Sequence, residues 1–263
     1  MIPKLSIITV NLNNVDGLLK TIESVVEQTF SDYEYIVIDG GSIDGSVESI
    51  KKYADKIRYW VSEPDKGIYN AMNKGIKQAK GEYCLFLNSG DWLFEKDTLS
   101  NVFKKFPDQD IVYGNLQTPK GTWTYPQKLT FSVFFFSSIA HPATFIRKSL
   151  FDTYGYYNEN YTIASDWEFF IIALVKNNCS YKHIDNTISC FEFGGMSTDE
   201  KYTVIRLKEC EDILRKLFPL MYDDYIELQA KREELEFYLN SKLMQTVKKI
   251  QQGKLYKMIR GIN

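Results

Sequence analysis

Along residues 5–113, short apolar runs alternate with helix-patterned segments, and few folds tolerate that order. Leu5–Val10, Tyr35–Ile38, Ile57–Ser62, Glu82–Leu87 and Asp110–Tyr113 read as strands rich in β-branched and aromatic residues. Between them, Leu18, Leu19, Ile22, Val25 and Val26 share one face at helical spacing behind an Asn14 N-cap. Ser46–Tyr53 and Thr98–Phe106 read as helices, and Ile68, Met72 and Ile76 form a single stripe. Tyr83–Leu87 is almost wholly apolar, as a strand covered on both faces must be. Connections of a few residues between such elements specify an α/β domain, a parallel sheet with right-handed crossovers and helices on both faces.

Each of the first four strands ends in a polar cluster: Asn11/Asn13, Asp39/Asp44, Asp65/Lys66 and Asn88/Asp91. Turns favour such residues one at a time. In an open α/β sheet, however, the carboxyl ends of the strands share one rim, and ligands bind there. Asp39 can accept hydrogen bonds from a base or ribose while Gly40 and Gly41 let the backbone come close. Asp91 can bind a hard divalent cation that also holds phosphate oxygens, although Asn88-Ser89-Gly90-Asp91 alone reads equally well as a surface turn. The G-x-G-x-x-G and G-x-x-x-x-G-K-[ST] spacings are both missing, which disfavours hydride transfer and P-loop NTPase chemistry.

Past residue 115 the alternation weakens. Gly121–Tyr125 and His141–Ile146 read as strands, Lys148–Tyr154 and Asp166–Lys176 as helices, and Tyr181–Phe193 as a strand pair or one long strand ending at Gly194-Gly195. From Lys201 the pattern is helical, with Leu228, Leu235, Leu239, Leu243, Val247 and Ile250 recurring at three- to four-residue multiples. The net charge of −2 leaves no field to recruit nucleic acid. It is unevenly spread: six Lys/Arg and no acid lie in residues 241–263, leaving about −8 to residues 1–240. That basic tail suits an anionic membrane surface, and the leucine stripe before it suits packing on the domain or pairing with a second copy. Cys84, Cys179, Cys190 and Cys210 are scattered and read as reduced thiols of a cytosolic chain. No signal peptide is expected at Met-Ile-Pro-Lys, and no apolar run reaches membrane-spanning length. Aromatic residues make up 15% of the chain, which suits a sugar-binding groove as well as a packed core.

Several linked motifs, in order over residues 4–200, resemble family 2 glycosyltransferases, above all the bacterial members that build capsule, O-antigen and exopolysaccharide. They are Leu5–Asn11, Ile38-Asp39-Gly40-Gly41-Ser42-Ile43-Asp44-Gly45, the Ser62–Gly75 stretch with Glu63-Pro64-Asp65-Lys66-Gly67 and Asn70-Ala71-Met72-Asn73, and Leu87–Asp91. His141-Pro142-Ala143-Thr144-Phe145, Ser165-Asp166-Trp167-Glu168 and Gly194-Gly195-Met196-Ser197 complete the series.

The resemblance implies a GT-A fold, a Rossmann-like nucleotide-binding mixed sheet flanked by helices, with a C-terminal helical extension. Residues 1–115 would form the nucleotide-sugar-binding half, 116–200 the acceptor-binding half, and 201–263 the helical extension with its basic tail. It implies an inverting enzyme that moves a sugar from a nucleotide-sugar donor, a UDP-sugar here, to a glycan or lipid-linked acceptor. Thr9, Asn11, Asp39, Asp65, Lys66 and Asn88 would line the donor site, and His141 and Trp167 the acceptor site. Asp91 with Asn88 would hold Mn²⁺ or Mg²⁺. Asn88 departs from the family's D-x-D pattern, because an amide oxygen ligates a hard cation without contributing charge. Asp166 resembles the family's catalytic base, and by position it could equally cap the helix it precedes. Glu168 reads as an exposed or supporting carboxylate. Localisation is expected in the cytoplasm, peripheral on the inner face of the membrane through 241–263, with a homodimer as the other use of the stripe. The alternatives are a nucleotidyltransferase, or a catalytically dead subunit that binds sugar nucleotides or glycans.

Overall fold

The computed structural model describes residues 2–196 and 199–241. Four parallel strands open the chain: β1 (Leu5–Asn11), β2 (Tyr33–Asp39), β3 (Tyr59–Ser62) and β4 (Tyr83–Phe86). They lie in the order β3-β2-β1-β4, with Asn11 in register with Asp39 and Asp39 with Ser62. The crossovers are α1 (Val15–Val26), α2 (Ser46–Lys52) and α3 (Ile68–Gln78). Asn14 caps α1 as expected, its Oδ1 accepting from the Gly17 N–H at 3.2 Å. α3 settles closely onto β1 because position 75 is glycine: a Cβ there would lie 2.5 Å from Ile8 Cγ2.

The parallel expectation fails after β4. Following β5 (Trp92–Leu93) and α4 (Thr98–Phe103), the chain enters β6 (Ile111–Thr118), which extends well beyond the expected 110–113 and does not lie beside β4. Between β4 and β6 runs β8 (Thr144–Arg147), antiparallel to both. β7 (Gly121–Trp123) pairs with β6, and β9 (Tyr181–Cys190), a single strand, pairs parallel with β6 and antiparallel with β5. The described residues thus form one mixed nine-stranded sheet. Short helices α5 (Phe131–Phe136) and α6 (Ser149–Tyr154) flank β8 in sequence. α7 (Ser165–Phe170) is shorter than the expected helix and continues as a π-helical stretch, Ile171–Lys176.

One face of the sheet buries Leu5, Ile7, Val37 and Leu85 against Leu18, Ile22 and Val25 of α1 and Leu99 and Val102 of α4. Elsewhere Phe86, Phe151, Tyr157 and Phe169 meet edge-to-face or stacked, with centroids 4.6–6.1 Å apart. The largest aromatic side chains, Tyr35, Tyr83, Tyr113, Phe86 and Phe145 among them, are wholly buried. Core packing thus accounts for much of the aromatic excess. Cys84, Cys179 and Cys190 are buried free thiols and Cys210 is half-buried.

The chain divides into two units, residues 1–210 and 211–263, and α8 (Thr203–Leu217) crosses the division. In the second unit α9 (Tyr222–Asn240) buries none of its side chains. Leu228, Leu235, Phe237 and Tyr238 are more than half exposed. Its surface is laced instead with the i,i+4 pairs Glu227–Lys231 and Arg232–Glu236. The part of the stripe beyond residue 241, and the basic tail, lie outside the described residues. No described helix is long and apolar enough to cross a membrane.

Candidate active site

The polar clusters read from sequence do come together on the carboxyl rim of β1–β4. Asp39, wholly buried at the end of β2, gathers five donors. Oδ1 accepts from Asn11 Nδ2 at 2.7 Å and Ser42 Oγ at 2.6 Å; Oδ2 accepts from Ser62 Oγ at 2.6 Å and the Ser42 and Gly41 N–H groups at 2.9 and 3.2 Å. Burial pushes its pKa up, but the bonds from Ser42, Ser62 and Asn11 outweigh that and hold it below the ordinary value. Its lone pairs are saturated by the chain itself, so Asp39 shapes the loop a nucleoside would meet. Asn11 is buried too, and its Oδ1 has no partner among the described residues.

Asp65 follows β3. Its Oδ1 accepts from the Gly67 N–H at 2.9 Å, while Oδ2 sits where a Cβ on residue 40 would be 2.5 Å away. Only glycine at 40 lets the two loops approach this closely. Lys66 is exposed and lines a small cleft of about 190 Å³ with Tyr69, Asn70, Glu159 and Thr162. Glu159 fixes the wall, accepting from Asn70 Nδ2 at 2.8 Å and Asn73 Nδ2 at 2.9 Å. Thr9 stands apart from the opening: it is wholly buried in β1, its hydroxyl 3.0 Å from Tyr35 Oη.

The turn after β4 folds back on itself. Asp91 donates its N–H to the Asn88 carbonyl at 2.8 Å and accepts the Asn88 N–H at Oδ2, 3.2 Å away. Only 5% of Asp91 is exposed, and burial pushes its pKa up to about 6, against the pull of His141 and the Asn88 N–H. Asn88 Oδ1 is a buried acceptor with no partner among the described residues. A buried carboxylate short of positive charge beside an unsatisfied amide oxygen is a donor set that fits Mg²⁺ or Mn²⁺. No group of three or more His, Cys, Asp or Glu among the described residues forms a closed metal cage, so the remaining ligands would come from water or a bound phosphate.

His141, in the turn before β8, links this metal-suited turn to Asp166. Its Nε2 is 3.1 Å from Asn88 Nδ2 and its Nδ1 is 3.1 Å from Asp166 Oδ2. Burial works to lower the His141 pKa, but its bond to Asp166 and the charges of Asp166 and Asp91 raise it, so Nδ1–H donates to the Asp166 carboxylate. Asp166 Oδ1 accepts a third group, Tyr69 Oη from α3, at 2.9 Å. Burial works to raise the Asp166 pKa, but the bonds from His141 and Tyr69 prevail and lower it. Its side chain keeps 20% exposure, enough to meet a ligand.

Asp166 does not cap α7, since the cap residue is Ala164. Trp167 does not face an opening either: it is 7% exposed, and its indole N–H donates to the Phe134 carbonyl at 2.8 Å and that of Ser137 at 3.2 Å. Glu168, expected to be exposed or supporting, is buried. Sequence reasoning quoted Tyr69 only as part of a motif, although its position one residue into α3 aims it at the rim. It passed over Glu159 entirely.

A parallel half continued by antiparallel strands, with the polar rim at the carboxyl ends of β1–β4, is the architecture of a GT-A glycosyltransferase. Residues 6–173 match the family described as glycosyl transferase family 2, and the chain belongs to that family. It is 32% identical over 204 residues to a PGL/p-HBAD biosynthesis glycosyltransferase of Mycobacterium tuberculosis, covering 74% of this chain and 79% of the relative. Over 117 residues it is 31% identical to the glycosyltransferase GlyA of Streptococcus pneumoniae, covering 43% of this chain and 16% of GlyA. Residues 1–349 of TarS from S. aureus, crystallised with UDP-GlcNAc, superpose with a TM-score of 0.64 at 20% identity, covering 82% of this chain and 67% of TarS 1–349. The mannosyltransferase PcManGT of Pyrobaculum calidifontis, in complex with GDP-Man and Mn²⁺, gives a TM-score of 0.56 at 14% identity, covering 95% and 84%.

Proposed function

We propose that the chain is an inverting glycosyltransferase that moves a sugar from a UDP-sugar to a glycan or lipid-linked acceptor of the cell surface. The observation that carries this reading is Asp166, an accessible carboxylate held ionised by Tyr69 and His141 one ring away from the Asn88–Asp91 turn. In the proposed reaction the acceptor hydroxyl gives its proton to Asp166 as its oxygen bonds to the anomeric carbon. The bond from that carbon to the diphosphate oxygen breaks, its electron pair leaves with the nucleoside diphosphate, and the anomeric configuration inverts. Asp166 is a weak base in the ground state, but an attacking hydroxyl becomes strongly acidic as its oxygen bonds to carbon. His141 and Tyr69 then keep the carboxylate aimed while proton transfer is completed. Asn88 and Asp91 would hold the divalent cation, which when bound offsets charge on the departing diphosphate.

On the donor side, the half-buried Asp65 is the carboxylate a nucleoside would meet beside the loop that Asp39 organises, with the unpartnered Asn11 Oδ1 buried behind it. Lys66 and Glu159 border the neighbouring cleft, where a sugar hydroxyl can be held between cation and carboxylate. The TarS complex with UDP-GlcNAc supports a uridine donor. A lipid-linked acceptor also gives the basic 241–263 segment a purpose, holding a cytoplasmic enzyme at the inner membrane face. The test is Asp166→Asn. It should lower sugar transfer or donor hydrolysis by about 10²–10⁴-fold while UDP affinity stays within about twofold. Near-normal turnover would refute the base assignment.

A further inference from the structure

We propose that Glu209 is a positioning residue, which holds the loop leading into α7 and thereby sets where Asp166 points. Glu209 lies in α8, outside residues 6–173, and is 8% exposed. Its carboxylate collects three consecutive backbone donors from a segment 45–47 residues earlier in the chain. Oε1 accepts from the Thr162 N–H at 2.6 Å, and Oε2 accepts from the Ile163 and Ala164 N–H groups, both at 3.0 Å.

The local sequence explains why such a clamp is needed. α7 starts behind Ala164, and Glu209 pins the three residues that lead into it. The Ala164 N–H is buried and those of Thr162 and Ile163 partly so, and the Glu209 carboxylate is the partner all three find. A carboxylate suits them because it only accepts; an amide in its place would turn an N–H towards another N–H. The cost of burying that charge is recovered only if all three bonds form together. The helix is also held further on, by the Trp167 indole bonded to the Phe134 and Ser137 carbonyls. Asp166 lies between these two anchors, two residues past Ala164. Movement of the 162–164 loop would therefore rotate the carboxylate away from Tyr69 and His141. Thr162 also lines the Lys66–Glu159 cleft, so one side chain fixes both the proposed base and a wall beside it.

This role rests on the reading of Asp166 as base. The test uses the full chain with UDP-GlcNAc and Mn²⁺, comparing wild type, Glu209→Gln and Glu209→Asp. Release of UDP is measured for kcat and KM, UDP affinity by calorimetry, and amide exchange at 162–170 by mass spectrometry. Glu209→Gln should lower kcat on the order of 10–100-fold, the cost of a misplaced reacting group. KM and UDP affinity should stay within about twofold. Exchange at 162–170 should rise while the strands of the donor half stay protected. Glu209→Asp keeps the charge one methylene short and should recover part of kcat; it carries the comparison if the Gln variant does not fold. Unchanged kcat, or kcat, UDP affinity and melting temperature falling together, would overturn the positioning role. A wild type inactive on both UDP-GlcNAc and GDP-mannose would sink the transferase reading and this role with it. An active wild type beside an equally active Glu209→Gln would sink this role alone.

Discussion

Asp91 should be a site where the empty protein gives up stability for binding, and Asp91→Asn measures the sacrifice. The residue is 5% exposed, and among the described residues its side chain accepts from the Asn88 N–H at 3.2 Å, a bond an Asn oxygen could accept as well. Moving the carboxyl from its ordinary 3.8 to about 6, at about 1.4 kcal/mol per tenfold change in proton affinity, makes its ionisation cost the fold about 3 kcal/mol at neutral pH. The sign follows from linkage. The folded state binds this proton more tightly than the unfolded state, so stability falls as pH rises from about 4 to about 6, and the full penalty applies above that. Asp91→Asn cannot ionise and should escape it. At pH 7.5, in chelator, the variant should therefore melt about 6–12 °C above wild type, at about 2–4 °C per kcal/mol for a chain of this size. At pH 4.5 the advantage should shrink to about 1 kcal/mol. Scanning calorimetry at the two pH values gives the difference, and UDP titration with Mn²⁺ should show the variant's binding largely lost. No gain at pH 7.5, or an equal gain at both pH values, would refute the claim that this carboxylate is buried without compensation.

Other substitutions probe the rest of the rim. Asn88→Asp adds a second charged ligand beside Asp91 and should tighten Mn²⁺ about tenfold or more, read by Mn²⁺ titration; unchanged affinity would show that residue 88 does not ligate. Gly40→Ala places a methyl group 2.5 Å from Asp65 Oδ2 and should displace that carboxylate. UDP affinity by calorimetry should then fall about tenfold, near 1.4 kcal/mol, and an unaltered Kd would remove Asp65 from the donor site. Deleting 241–263 removes six positive charges worth about 1 kcal/mol each near an anionic bilayer. The full chain should sediment with phosphatidylserine vesicles and the truncated chain should not; a full chain that never sediments ends the membrane reading.

The first half of the fold was legible because its signals are local. Apolar runs of strand length, a helical period between them and polar turns after each fix β1–β4 and α1–α3 almost to the residue, and the parallel register then brings Asn11 beside Asp39 and Asp39 beside Ser62. Past Phe86 the same pattern misled, since a strand–helix–strand succession says nothing of a later strand inserting between earlier ones. β8 does so, with short ladders to both neighbours and no periodicity that announces its direction. α9 is a different case. Its leucines recur at helical multiples, yet Glu227, Lys231, Arg232 and Glu236 occupy the turns between them, and charge pairing along its surface supports it without a buried face.

The surroundings of Asp166 were illegible for a reason of the same kind. Position alone made Asp166 a plausible cap, and a capping role and a catalytic one differ only in what comes back to meet the side chain. Tyr69 arrives from a helix 97 residues earlier and His141 from a turn 25 residues earlier, and neither distance is a period of any element. Trp167, its neighbour, turns the other way along the same helix, so adjacency in a motif does not mean adjacency in a site. Glu209 left one trace that could have been read. It sits four residues before Ile213 and five before Leu214, both buried, which puts a charged residue on the covered stripe of α8. A lone carboxylate on an apolar stripe must find donors in the fold, and the backbone N–H groups of 162–164, ahead of α7, supply them.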